Sequence, residues 1–153
     1  DESEIPLLLE VLRWVNGVST EDLFLDAVTF TIGTGQVAVK VPSPVILLQA
    51  KLANLATLSQ DGRQDAKHVR ILFQVIPCYL KGLTETVRGG QRNERELVNC
   101  LGRLLDIVTT DQAKKSISEL ELDAAGLFST LSINGLPKVA AFQKHQLPRL
   151  NPT

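Results

Sequence analysis

The sequence predicts an α+β fold, in which a small N-terminal mixed sheet of strand, short helix and hairpin is followed by a C-terminal helical bundle. Three observations predict it. The first third carries period-two alternation broken by glycine turns. After Pro42 the apolar residues recur at helical spacing instead. With 153 residues, 44% of them apolar and 22% charged, the chain can bury one sizeable core. The boundary near Pro42 separates residues 1–42 from 43–153. The strands need the helices as cover, so we expect one compact unit rather than two independent domains.

Each element has a local reason. PLLLEVLRWV, from Pro6 to Val15, has the bulky apolar density of a buried strand, with Glu10 and Arg13 as its charges. Asn16-Gly17 marks a turn. Ser19, followed by Glu21 and Asp22, is a helix cap with acids in the first turn, which predicts a short helix over STEDLFLDA. VTFTI and QVAVKV alternate across GTG and predict a hairpin.

Ser43 and Pro44 then open a helix whose apolar positions 45, 48, 52 and 55 form one stripe, with Asp61-Gly62 closing it. A second helix is predicted from about Arg63, bent or ended near its last turn by Pro77. RGGQRNE is a loop, and ERELVNCLGRLLDIV is a third amphipathic helix through Leu97, Leu101, Leu104 and Val108. Weaker helices are expected over 111–121 and 137–146, and an irregular tail over LPRLNPT. The chain carries no internal repeat.

Composition excludes several function classes. A formal net charge of -1 creates no basic field for nucleic acid or an anionic membrane. Val41–Ala50 is about half the length a membrane-spanning helix needs, and the acidic DESE start is unlike a signal peptide. Cys78 and Cys100 lie far apart inside apolar helical patterns, which predicts reduced core thiols in a cytoplasmic protein. Two histidines without His-x-x-x-His spacing do not make a metal site, and GTG lacks the length and the Lys-Ser/Thr of a phosphate loop. The absence of methionine fits either a segment cut from a longer protein or modified methionines missing from the sequence.

One charged knot stands out: Arg63, Asp65, Lys67 and His68 follow closely after Lys51, a lysine set in a long apolar run. In a helix starting near Arg63, Asp65 and His68 share a face. Asp65 also has a purely structural reason to be there, because an acid in a first turn favours the helix dipole. Lys51 can equally snorkel from the polar edge of its helix.

The stretches EVLRWVNGVS, VKVPSPVILLQAKLANL and DGRQDAKHVRIL together resemble the later part of nucleotidyltransferase-like proteins of the type that includes the AbiEii toxin family. The resemblance covers about residues 5–80. It implies that Lys51, Arg63, Asp65 and His68 line the nucleotide or phosphate side of a cleft, with His68 standing where such proteins more often have a second acid. It implies Mg²⁺ as cofactor and an NTP as ligand, with Glu10 either a third catalytic carboxylate or simply a charge on its strand. The Asp-x-Asp pair that would hold the metal is absent from this sequence and is expected ahead of Asp1. On this reading the chain is part of a protein that transfers a nucleotide to a hydroxyl or phosphate acceptor, and is not catalytic alone. The alternative is a non-catalytic helical module that binds a protein partner.

Overall fold

A computed structural model describes residues 14–25, 27–33 and 37–150. The expected first strand, Glu10 included, lies outside the described residues except for its end at Trp14 and Val15. Asn16-Gly17 forms the expected turn, closed by a bridge between Val15 and Val18. Helix α1, Thr20–Phe24, follows, capped by the Ser19 hydroxyl accepting from the Asp22 amide. Strands β1, Val28–Ile32, and β2, Val37–Val41, pair antiparallel with Phe30 opposite Val39.

The register sorts the hairpin into two faces, because directly opposed residues project to the same side. Val28, Phe30, Ile32, Val39 and Val41 share one face; Thr29, Thr31, Ala38 and Lys40 share the other. The helices do not provide the cover expected for this sheet. β1 is exposed along its whole length, with Phe30 at 53% and Ile32 at 56%.

The helical portion agrees closely with the apolar stripes. Helix α2, Pro44–Thr57, starts where Ser43 accepts from the Ile46 amide at 3.4 Å and Pro44 presets φ. It ends before Leu58, earlier than Asp61-Gly62, and those two residues instead form the turn into the next helix, with Gly62 at φ +69°. Helix α3, Asp65–Arg88, continues past Pro77 to Arg88 rather than ending near it. Proline deletes one amide donor, but one continuous buried stripe holds the helix on both sides of it. Val69, Leu72 and Ile76 precede the proline on that stripe; Leu80, Leu83 and Val87 follow it. Cys78 is exposed rather than in the core, because it sits off that stripe, whereas Cys100 is buried as expected.

Helix α4, Glu94–Thr109, is capped by the Asn93 side chain and buries Leu97, Cys100, Leu101, Leu104, Leu105 and Val108. It contacts α2, α3, α5 (Asp111–Glu119) and α6 (Pro137–His145), so it lies at the centre of the bundle. The tail is more regular than expected: a 3-10 turn covers Leu147–Leu150, and another covers Ala125–Phe128 before α6. Helix α6 has no cap of its own at Leu136. Glu94 supplies one from the start of α4, its Oε1 accepting from the amides of Lys138 at 2.7 Å and Val139 at 3.1 Å.

Candidate functional site

The α2–α3 corner brings three of the five predicted site residues together. Lys51 lies on the third turn of α2, and Arg63 and Asp65 lie where the Gly62 turn delivers the chain into α3. Asp65 is the centre: its side chain is 3% exposed, the least of the three. Its Oδ1 accepts from Lys51 Nζ at 2.8 Å and from Asn54 Nδ2 at 3.3 Å, while its Oδ2 accepts from Arg63 Nε at 2.6 Å. The two cations stay accessible, with side chains 28% and 38% exposed.

A carboxylate this buried would ordinarily be pushed up in pKa by desolvation. Here burial does raise it, but the hydrogen bonds from Lys51, Arg63 and Asn54 outweigh that cost and hold it down at about 2. Asp65 is therefore ionised throughout the physiological range. Lys51 gives Asp65 one of its three ammonium donors, and Arg63 binds through Nε. Neither cation makes another hydrogen bond among the described residues, so the remaining donors, including the terminal fork of Arg63, are available to an anion.

His68 does not join this cluster. It makes no hydrogen bond to Lys51, Arg63 or Asp65, and its buried Nδ1 has no hydrogen-bond partner among the described residues. Glu10 lies outside the described residues.

Asn54, which sequence reasoning missed, extends the cluster toward the N-terminal segment. Its Oδ1 accepts from Asn16 Nδ2 at 3.2 Å, and Asn16 Nδ2 also donates to Thr57 Oγ1 at 2.8 Å. The turn that carries Asn16 is seated directly on α2. Gln49 Nε2 donates to the Gly17 carbonyl at 2.7 Å, and a Cβ at Gly17 would fall 2.3 Å from that of Ala53. Gly17, at φ +72°, is thus required both by the backbone conformation and by the contact. The one sequence signal for Asn54 is a carboxamide between Leu52 and Leu55, one turn after Lys51 on a largely apolar helix.

A second concave feature lies elsewhere. An open groove of about 930 Å³ runs along α4, floored in part by Leu52, Ile107 and Phe142. None of Lys51, Arg63, Asp65 or His68 lines it. Its two arginines are already paired: Arg103 with Asp22, whose carboxyl that guanidinium and the Ser19 hydroxyl hold below the usual range, and Arg149 with Asp106 at 2.9 Å.

Among the described residues no group of three or more His, Cys, Asp or Glu side chains is arranged to hold a metal ion. No helix is long and apolar enough to cross a membrane, again among the described residues. No protein-family model, no curated protein and no solved structure matches the chain.

Proposed function

We propose that this chain is the phosphate-facing C-terminal part of a cytoplasmic nucleotidyltransferase-like protein, which transfers a nucleotide from an NTP to a hydroxyl or phosphate acceptor. One observation carries the reading. Lys51 and Arg63, from different helices, converge on a single buried carboxylate and keep their remaining donors exposed. Two cations fixed about one anion form a rigid fork rather than two loose side chains, and such a fork suits the oxygens of a polyphosphate. Asp65 orients the fork; Lys51 and Arg63 bind.

The described residues do not fit the Mg²⁺ that such chemistry uses, since Asp65 already accepts from Lys51, Asn54 and Arg63 and no carboxylate cluster stands beside it. Metal ligands belong to the expected Asp-x-Asp element, and the chain alone binds without catalysing.

The direct test is titration of the chain with inorganic triphosphate, followed by amide NMR. Binding should shift resonances around Lys51 and Arg63, and Lys51→Ala with Arg63→Ala should weaken it at least tenfold, the scale of a lost charge-assisted contact. Shifts confined to the α4 groove, or none at all, would overturn the reading. Sequencing upstream of Asp1 tests the enzyme itself: a gene without a Gly-Ser and Asp-x-Asp element there would sink it.

The exposed apolar face of the β1–β2 hairpin favours a second reading, a module that docks a protein partner. That reading requires no triphosphate binding and would survive its absence.

A further inference from the structure

The cluster around Asp65 and the seat of the Asn16-Gly17 turn share one side chain. Asn54 is oriented to serve both at once: its carbonyl oxygen takes the Asn16 amide and its amino group donates to Asp65. Only a carboxamide can do this, because the two bonds need an acceptor and a donor on the same short branch. A serine is too short to span both, and an aspartate would set a second carboxylate against Asp65.

We propose that Asn54 is a positioning residue that couples the seating of the Asn16-Gly17 turn to the geometry of the Lys51–Arg63 fork, so that the fork is fully formed only while the turn is docked. The inference rests on the polyphosphate reading for its ligand, though not for the coupling itself. The turn ends the segment that carries Glu10, and Asn16 stands two hydrogen bonds from Asp65 through Asn54. Lys51, Arg63 and Asn54 are the groups that hold the Asp65 carboxylate. Loss of the turn frees the Asn54 carbonyl, lets the carboxamide rotate, and removes one of the carboxylate's donors. The fork then relaxes toward two independent side chains.

Coupling between two sites is reciprocal. A polyphosphate that favours the formed fork must therefore stabilise the docked turn, although it touches no atom of it. The turn has its own reporter in the Val18 amide, which donates to the Val15 carbonyl across it at 3.3 Å.

Hydrogen exchange of the Val18 amide, with and without inorganic triphosphate, tests this in the intact chain. Saturating triphosphate should slow Val18 exchange about fivefold, the low end of ordinary coupling, and Asn54→Ala should abolish that protection while the Lys51 and Arg63 resonances still report residual binding. Equal protection in Asn54→Ala and the original chain would overturn the proposal. If triphosphate does not bind at all, the polyphosphate reading fails and the ligand-free proteins still decide the coupling. Asn54→Ala and the isosteric Asp65→Asn should each speed Val18 exchange, and the double variant should be no faster than the faster single one. Fully multiplicative effects would show that turn and fork are independent. Asn54→Asp gives a further check, since it keeps the acceptor for Asn16 but should lose affinity by repelling the Asp65 carboxylate.

Discussion

Replacing Asp65 with asparagine tests whether the buried carboxylate holds the α2–α3 corner together. The folded protein keeps this group ionised down to about pH 2, against 3.8 for the unperturbed side chain. At about 1.4 kcal/mol for each unit of pKa, the difference corresponds to about 2 kcal/mol of stability at neutral pH. The side chain is 3% exposed, so solvent screening takes little from this figure. Because the folded value lies below the unfolded one, the contribution is complete above the unfolded pKa and is lost as pH falls through 4 toward 2. By pH 3 roughly half of it has gone.

Urea unfolding of the original chain and of Asp65→Asn at pH 7, 5 and 3 isolates the effect, since other carboxylates contribute equally to both. We expect a gap of about 2 kcal/mol at pH 7 and at pH 5 that shrinks to about 1 kcal/mol at pH 3. A gap under about 0.5 kcal/mol at pH 7, within the range of an ordinary surface substitution, would refute the reasoning. So would a gap that stays constant from pH 5 to 3.

Three further substitutions probe the frame around the site. Gly17→Ala should cost about 1–3 kcal/mol, from positive φ and from the approach to Ala53, and adding Ala53→Gly should recover part of that loss in thermal unfolding. Glu94→Ala removes the borrowed cap of α6 and should cost about 1 kcal/mol in urea unfolding, with Glu94→Gln costing less because an acceptor remains. Pro77→Ala restores a helical donor within α3 and should raise the unfolding free energy in urea by about 1 kcal/mol or more; a loss of stability would mean that the helix is shaped around the proline.

The helices were legible wherever apolar spacing and caps agreed. Ser43 with Pro44 and the stripe through Leu48 and Leu52 located α2; Leu97, Leu101, Leu104 and Val108 located α4. Pro77 misled because propensity is a local quantity, whereas the stripe on either side of the proline is held by tertiary burial. Cys78 misled for a related reason, since it sits in an apolar neighbourhood but off the buried face. In the site, the charged knot pointed to Arg63 and Asp65, and Lys51 was visible as a lone cation in an apolar run. Asn54 and Asn16 were not visible as partners. They stand 38 residues apart, and no short-range rule connects two asparagines over that distance. The cap that Glu94 lends to α6 reaches farther still, across 44 residues to Lys138.

The central place of α4 bears on synthesis. Helices α2 and α3 pack on each other, but both also pack on α4, and the largest set of fully buried leucines belongs to α4. A chain emerging from the ribosome in order has made every residue of the α2–α3 pair before α4 appears. Until Phe128 has cleared the exit, the apolar stripe of α3 lacks the cover that α4 and the Ala125–Phe128 turn supply, a condition that invites chaperones or misassociation. A translational pause between α3 and α4 would prolong that interval.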